Sequence, residues 1–332
     1  MNPSFLSQEQ SLLQNAFPQQ FLERMERLIP ETHRLETINA LTQPLHTGFR
    51  INPLKTKVQE VLGELQKLDI QVEPVEWNPE AFLAKPEDRE KLLQSQSWSS
   101  GKIYVQNLSS MVPPLVLAPE PDSRILDLTA APGGKTLQLA GMIQNRGEIW
   151  AVEKSKDRFF RLRSNVEQQG ATCVKCYLGD GEVWWKKNSE AFDYVLLDAP
   201  CSTEAQLHIS DPEACGQWNL KKSKTLMSTQ KSLMFSAIQC LKPGGSLVYS
   251  TCSLAPEENE LVLDRMLHVF DTALEITPVS LNIPNQCPGL THWPRKPLNP
   301  MLENAVRILP TRRMEGFFIS RILKIKSTLQ AT

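Results

Sequence analysis

The sequence predicts an α/β protein whose main domain is a mostly parallel sheet, covered by helices and closed by an antiparallel hairpin. Three observations support this fold class. From residue 124 onward, short apolar runs typical of buried strands alternate with segments of helical periodicity. Acidic residues or cysteines follow several of these runs, as expected where a parallel sheet carries its binding groups at one edge. Two last β-like runs, at residues 305–309 and 316–323, predict the hairpin.

The chain has 332 residues, which is enough for more than one domain, and three units are predicted. Residues 1–44 form an N-terminal helical extension with a predicted helix at 21–29. Residues 45–100 form a small α/β module. The main domain is expected to span residues 101–326.

The small module is predicted from one helix and its flanks. Apolar residues at helical spacing indicate a helix over 56–68, and strand-like runs lie on either side of it at 49–51 and 71–75. Thr56 and Gln59 have the spacing of a capping box, which predicts that the helix begins there.

The alternating signals of the main domain predict five parallel strands and four helices. Pro256 suits the first position of the last helix, and Glu257 and Glu258 would complement its dipole. The strands are predicted at residues 125–128, 148–152, 172–178, 194–197 and 246–249, and the helices are expected to begin near Lys135, Ser155, Leu226 and Glu257.

Composition excludes some classes of protein and leaves others open. The formal net charge is −1, so no overall basic field predicts a nucleic-acid partner. Seven irregularly spaced cysteines argue against a disulfide framework and favour a reducing compartment. No apolar run reaches membrane-spanning length, and the N-terminus lacks the pattern of a leader. We therefore expect a soluble cytoplasmic protein, and a monomer, without a membrane partner.

A glycine turn joins the first strand of the main domain to its first helix, within Leu126 to Thr136. A nucleoside-triphosphate loop would need glycine at position 129, where this chain has Thr129. The dinucleotide pattern G-x-G-x-x-G is also absent. A strand, a glycine turn and a helix remain, without the usual phosphate cradle.

Three acidic residues end consecutive strands after this turn: Glu153, Asp180 and Asp198. Each alone could equally cap a helix or a turn. Together they should converge on one crevice, because ligands of open parallel sheets bind at the carboxyl edge of the strands. A carboxylate such as Glu153 can accept both hydrogen bonds of a ribose diol. The set fits adenosine recognition without a phosphate anchor, and S-adenosylmethionine is the ligand that it predicts.

Two cysteines, Cys201 and Cys252, each follow an apolar strand-like run and should face the same crevice. A thiolate that adds to carbon 6 of cytosine makes carbon 5 nucleophilic enough to take a methyl group, so a cysteine beside a methyl donor suits this chemistry. Release then needs a second acid or base, for which Cys201 and Asp198 are placed. The pair Cys173 and Cys176 has C-x-x-C spacing, but no second pair completes a zinc site, and no metal is expected.

These segments resemble the motifs of the RsmB/Nop/Sun family of RNA cytosine-C5 methyltransferases. The resemblance rests on residues 126–136, 198–202 and 250–260, and it extends upstream through 50–55 and 101–111 and downstream to 315–318. It implies a class I, Rossmann-like methyltransferase domain preceded by a module similar to an RNA-recognition fold.

The resemblance also implies roles for individual residues. Cys252 would be the nucleophile, Cys201 would assist release of the product, and Asp198 would lie between cofactor and cytosine. Glu153 would bind the ribose and Asp180 the adenine edge of S-adenosylmethionine. The remaining cofactor-binding candidates are Arg158, the residues of the turn, Thr129, Ala130, Ala131, Pro132, Gly133 and Gly134, and Lys135, which is also a candidate acid, base or orienting group.

The expected function is transfer of a methyl group from S-adenosylmethionine to carbon 5 of a cytosine in structured ribosomal or transfer RNA. Three alternatives stay open at this point. They are a methyltransferase with a non-RNA substrate, a non-catalytic RNA-binding or ribosome-assembly factor of the same fold, and a thiol-dependent oxidoreductase. The last would need a nicotinamide or flavin site, which the glycine turn does not supply.

Overall fold

In the computed structural model, residues 11–329 are described. The N-terminal extension contributes α1 (Gln19–Leu28) and α2 (Arg34–Thr42). Helix α1 agrees with the predicted helix at 21–29, whereas α2 was not predicted. Phe21 of α1 is buried against Trp218 of the main domain, with their ring centroids 5.3 Å apart. Within the described residues, no helix is both long and apolar enough to cross a membrane.

A four-stranded antiparallel sheet follows, in the order β2-β3-β1-β4. Its apolar side packs on α3, where Val61 and Leu65 are fully buried beneath Phe49 and Ile51 of β1. The elements are β1 (Thr47–Ile51), α3 (Val58–Lys67), β2 (Val72–Val75), β3 (Asn78–Ala84), α4 (Arg89–Gln94), α5 (Gln96–Ser99) and β4 (Ile103–Val105).

The predicted capping box is wrong. Helix α3 begins at Val58, so Lys57 is its N-cap, and within the described residues no side chain caps this end. Thr56 lies one residue too early to reach the third amide of the helix, and its hydroxyl instead donates to Glu60, with 2.8 Å between the oxygens.

The main domain is built on a nine-stranded sheet in which the path β11-β12-β13-β9-β8-β5-β6-β7 is joined by β10 at β13. Strands β5 to β9 are parallel, and β13 runs antiparallel to β9. The strands are β5 (Arg124–Asp127), β6 (Glu148–Glu153), β7 (Val174–Leu178), β8 (Phe192–Asp198), β9 (Leu241–Thr251), β10 (Leu274–Thr277), β11 (Gln286–Pro288), β12 (Val306–Ile308) and β13 (Phe317–Lys324).

Helices cover both faces of this sheet, and one core forms on each side. Buried apolar residues such as Leu126 and Leu197 belong to one core, and Ile125 and Leu196 to the other, because successive side chains of a strand point to opposite faces. The helices are α6 (Val112–Leu117), α7 (Gly134–Met142), α8 (Lys156–Gln169), α9 (Trp185–Asn188), α10 (Pro212–Gly216), α11 (Leu220–Cys240) and α12 (Glu260–Phe270).

The predicted fold class is confirmed, including the closing hairpin of β12 and β13. Two predicted helix starts are wrong. Helix α11 begins at Leu220 rather than near Leu226, because the side chain of Asn219 caps it by accepting from the amide of Lys222. Helix α12 begins at Glu260 rather than Glu257, since the preceding residues form a turn whose carboxylates bind elsewhere in the protein.

The order of the sheet fixes where a ligand can bind. Strand β5 has β6 on one side and β8 on the other, so the connections that follow β5 and β8 run in opposite directions along the sheet. A crevice opens at such a point in a doubly wound sheet. The turn after β5 and the loops after β6, β7, β8 and β9 therefore surround one site.

Candidate active site

The glycine turn between β5 and α7 is fixed by side chains from outside it. Gly133 has a φ of +112°, in the left-handed region that side-chain-bearing residues rarely adopt. Two side chains of α8 donate to carbonyls of the turn, Arg158 to Ala131 and Asn165 to Pro132. Arg50 of β1 donates to the carbonyl of Gly134 over 3.1 Å, so the small sheet also supports the turn.

A cleft of about 600 Å³ opens beside this turn. Glu153 is 5% exposed, and one of its carboxylate oxygens accepts from the amide of Ser155 at 2.8 Å. Asp180 is paired with Lys154 at 2.7 Å and accepts from the amide of Glu182. Of the residues expected in the site, the cleft wall contains Thr129, Glu153, Arg158, Asp180, Asp198, Cys201 and Cys252.

All but one of the remaining expected cofactor residues line a second, smaller cavity of about 170 Å³ next to the cleft. Thr129 and Asp198 border both spaces. Gly133 borders neither and instead shapes the turn. The smaller cavity has Ala130, Ala131, Pro132, Gly134 and Lys135 in its wall.

Asp198 is held at the end of β8 by both of its carboxylate oxygens. One accepts from the ammonium of Lys135 at 2.7 Å, and the other from the hydroxyl of Ser250 at 2.8 Å. The hydroxyl of Thr129 donates to the Asp198 carbonyl. The Lys135 side chain is largely buried, so a charged partner is what keeps its ammonium stable there. The ion pair places Lys135 where it can orient the Asp198 carboxylate.

The two cysteines meet in the wall of the cleft. Their sulfur atoms, Sγ of Cys201 and Sγ of Cys252, are 3.2 Å apart and hydrogen bonded. That hydrogen bond and burial together raise the pKa of the Cys201 thiol well above its ordinary value. Cys201 is therefore a proton-bearing thiol next to Cys252, which directly follows β9. The pair is suited to a nucleophile with an adjacent proton donor.

One carboxylate of the site was missed by the sequence analysis. Asp127, the last residue of β5, is 1% exposed and lines the smaller cavity. One oxygen accepts from Thr136 at 2.6 Å, whereas the other has no partner among the described residues. Burial raises the pKa of Asp127 to about 7. The signal was present, since Asp127 ends its strand in the same way as Glu153 and Asp198 do.

Other cysteines lie away from the cleft. Cys173 is buried in one core of the main sheet, and Cys176 packs at the edge of a separate small cluster with Ala151 and Leu162. Within residues 11–329, no group of three or more histidine, cysteine or acidic side chains is arranged to hold a metal ion.

The sheet order, the cleft at the end of β5 and the strand-end carboxylates define the class I methyltransferase fold. Comparisons with known proteins give the family. The model of 16S rRNA methyltransferase RsmB/F matches residues 114–323, and that of the N-terminal domain of 16S rRNA methyltransferase RsmF matches residues 17–108. The chain belongs to the RsmB/F family, which confirms the resemblance drawn from its motifs.

Individual relatives agree with this assignment. Ribosomal RNA small subunit methyltransferase F of Serratia proteamaculans is 35% identical over 312 residues, which are 92% of this chain and 63% of that protein. The chain therefore spans just under two thirds of the length of that relative. A methyltransferase homolog from Pyrococcus horikoshii is 33% identical with a TM-score of 0.81, over 98% of this chain and 100% of that one. NSun6 from Pyrococcus horikoshii, at 23% identity and a TM-score of 0.78 over 94% of this chain and 100% of that one, shares the fold.

The cofactor of this family is S-adenosylmethionine, and the site fits it. Of the four carboxylates in the cleft wall, Glu153 and Asp180 can meet the polar edges of an adenosine, and the adjoining cavity is lined by a buried carboxylate oxygen that still lacks a partner among the described residues. Acidic walls also suit the positive charges of this donor.

Proposed function

We propose that this protein transfers a methyl group from S-adenosylmethionine to carbon 5 of a cytosine in structured RNA. The proposal depends above all on the two sulfurs 3.2 Å apart in the wall of the cofactor cleft. Ribosomal RNA of the small subunit is the favoured substrate, because the relatives are named for it, and transfer RNA is the second. Action in the cytoplasm, as a monomer, stays a prediction.

The residues around the cleft take separate roles in this proposal. Glu153 binds the ribose and Asp180 the adenine edge, where an exocyclic amine would share the carboxylate now paired with Lys154. Arg158 holds the glycine turn through Ala131. The turn from Thr129 to Lys135 encloses the methionine end of the cofactor, and S-adenosylmethionine supplies an activated methyl group on its sulfonium.

The reaction begins at Cys252. Its thiolate bonds to carbon 6 of the cytosine, and carbon 5 gains the electron density that it needs to attack the methyl group. Asp198 has lone pairs left after its bonds to Lys135 and Ser250, so it can accept from the N4 amine of the cytosine, beside N3. The base must be unstacked to reach the cleft, which favours loops and junctions of the RNA.

A direct assay tests the proposal. The protein is incubated with S-adenosylmethionine and total RNA from cells that lack it, and the RNA is digested to nucleosides. We expect 5-methylcytidine to rise in ribosomal RNA, or else in transfer RNA. No rise in either class would contradict the proposed function, and methyl incorporation that resists ribonuclease would point to a non-RNA substrate.

A further inference from the structure

A short turn between β9 and α12, residues 256–259, reaches both cysteine-bearing loops. Its Glu258 is fully buried, and its carboxylate accepts from the amide of Ser202 at 2.8 Å and from the hydroxyl of Ser202 at 2.6 Å. Ser202 directly follows Cys201. Glu258 therefore holds the residue next to the first thiol by two hydrogen bonds.

The other side of Cys201 is tied to the same group. Gln230 of α11 is fully buried, and its amide donates to the carbonyl of Pro200 at 2.9 Å and to Glu258 at 3.4 Å. The hydroxyl of Tyr249, on β9, donates to the main-chain carbonyl of Glu258 at 2.6 Å. Glu258 thus links the loop of Cys201 to the strand that leads to Cys252.

The next residue, Asn259, holds the second thiol in a similar way. Its side-chain oxygen accepts from the hydroxyl of Thr251 at 2.6 Å, and its amide donates to the carbonyl of Ser253 at 2.8 Å. These are the two chain neighbours of Cys252. Asn259 occupies the N-cap of α12, where asparagine usually caps the helix, yet in the described structure its side chain makes no capping bond. The side chain braces the Cys252 loop instead.

We propose that Glu258 and Asn259 are positioning residues that set the separation of the two sulfurs, Glu258 for release of the product and Asn259 for attack. This inference rests on the proposed function. Neither side chain is assigned to contact RNA or cofactor. The neighbouring Glu257 has no part in this positioning, because its carboxylate points to Arg24, 2.6 Å away, in the N-terminal extension.

The release step shows why the separation matters. After methyl transfer, a base takes the proton from carbon 5, and the electron pair of that C–H bond forms the double bond between carbons 5 and 6. The bond between carbon 6 and Cys252 breaks, and its electron pair returns to sulfur. The thiol of Cys201, in contact with that sulfur, can give it a proton and is left as a thiolate that solvent reprotonates.

The test separates formation of the covalent protein–RNA adduct from its release. Wild type, Glu258→Gln and Glu257→Gln are mixed with S-adenosylmethionine and total RNA from cells lacking the protein, and the denaturant-stable adduct is followed in time. We expect Glu258→Gln to form adduct at the wild-type rate and to release it at least about tenfold more slowly, since misplacing a proton donor loses much of its effect. Glu257→Gln should match wild type in both steps.

Two more variants complete the design. Ser202→Ala removes the hydroxyl that donates to Glu258, so it breaks one of the same hydrogen bonds by changing the other partner. Slower release is again expected. This variant takes the place of Glu258→Gln if Glu258→Gln does not fold. Asn259→Ala should slow formation of the adduct more than its release. A purely structural role would lower thermal stability while changing both steps in proportion.

The outcomes separate this inference from the proposed function on which it rests. If Cys201→Ala traps an adduct while Glu258→Gln and Ser202→Ala release product like Glu257→Gln, the inference is overturned and the proposed function stands. If wild type methylates no cytosine and Cys201→Ala traps no adduct, both the inference and the proposed function are contradicted.

Discussion

The two halves of the cleft are built in different ways. In the cofactor half, formed at the ends of β5, β6 and β7, each carboxylate accepts a hydrogen bond from a group within ten residues of it, and Asp180 also pairs with Lys154. Glu153 accepts from Ser155, and Asp180 from Glu182, each two residues further on. In the thiol half, at the ends of β8 and β9, the loop of Cys201 is held by a partner distant in sequence: Glu258 lies 56 residues from Ser202. The loop of Cys252 is held by Asn259 from within eight residues.

This difference assigns separate tasks to the two halves. A carboxylate that is fixed by its own turn is already in place to bind the cofactor. Its loss should lower the affinity for the cofactor without changing the rate of the reaction. Because the loop of Cys201 is held across the fold, the separation of the two sulfur atoms depends on the packed structure, and catalysis is sensitive to small misplacements. Changes in the cofactor half should therefore act on affinity, and changes in the thiol half on rate.

The largest effect is expected for Cys252→Ala. Loss of a covalent nucleophile should lower methyl transfer by at least about a thousandfold. Affinity for S-adenosylmethionine, measured by calorimetry, should stay near that of wild type, because the cofactor is held by the other half. Cys287→Ala, at a half-buried cysteine outside the cleft, is the matched control and should leave both quantities unchanged. Methylation that persists in Cys252→Ala would contradict the role of this sulfur as the nucleophile.

Cys201→Ala, in the same half of the cleft, should act on a later step of the reaction. Without the proton-bearing thiol beside Cys252, release is expected to slow by about a hundredfold or more, so a covalent protein–RNA adduct accumulates. A gel under denaturing conditions detects it, and the double variant Cys201→Ala with Cys252→Ala should show none. An adduct in Cys252→Ala but not in Cys201→Ala would mean that the two roles are reversed.

The same contrast explains what the sequence could predict. The strand ends that carry Glu153, Asp180 and Asp198 follow from short apolar runs, because each is a local pattern. The pairing of Asp198 with Lys135 was not predicted, since it joins the end of β8 to the start of α7 across the fold. The task of Glu258 was misassigned for a related reason: a carboxylate before a helix usually complements the dipole, and only the packed structure shows that it holds Ser202.

Glu153→Gln tests the cofactor half. Replacing this buried carboxylate, which we propose accepts from the ribose diol, by a neutral amide should cost about 1.5 kcal/mol of binding, or roughly tenfold in affinity for S-adenosylmethionine. The maximal rate at saturating cofactor should change little. Glu182→Gln, also in the cleft wall but assigned no contact with the ribose, is the control. A loss of maximal rate with unchanged affinity would break the division between the two halves.

Asp127→Asn tests the same half through pH, with the smallest expected effect. Because burial raises the pKa of Asp127 to about 7, much of the free protein carries a proton there at neutral pH. A cation such as the ammonium of S-adenosylmethionine, placed at the carboxylate oxygen without a partner among the described residues, favours the ionised form. Binding then expels a proton, so affinity should rise about fivefold as pH rises from about 6 to 8.

The slope of affinity against pH is the measurement that decides the role of Asp127. Asp127→Asn cannot ionise and should bind the cofactor more weakly at pH 8, with a flat profile over the same range. Asp193→Asn is the matched control, because Asp193 lies near the opposite end of β8 and pairs with Lys242, so it should keep the wild-type slope. If Asp127→Asn keeps the slope as well, the proton belongs to another group. The smaller cavity would then hold an uncharged part of the cofactor.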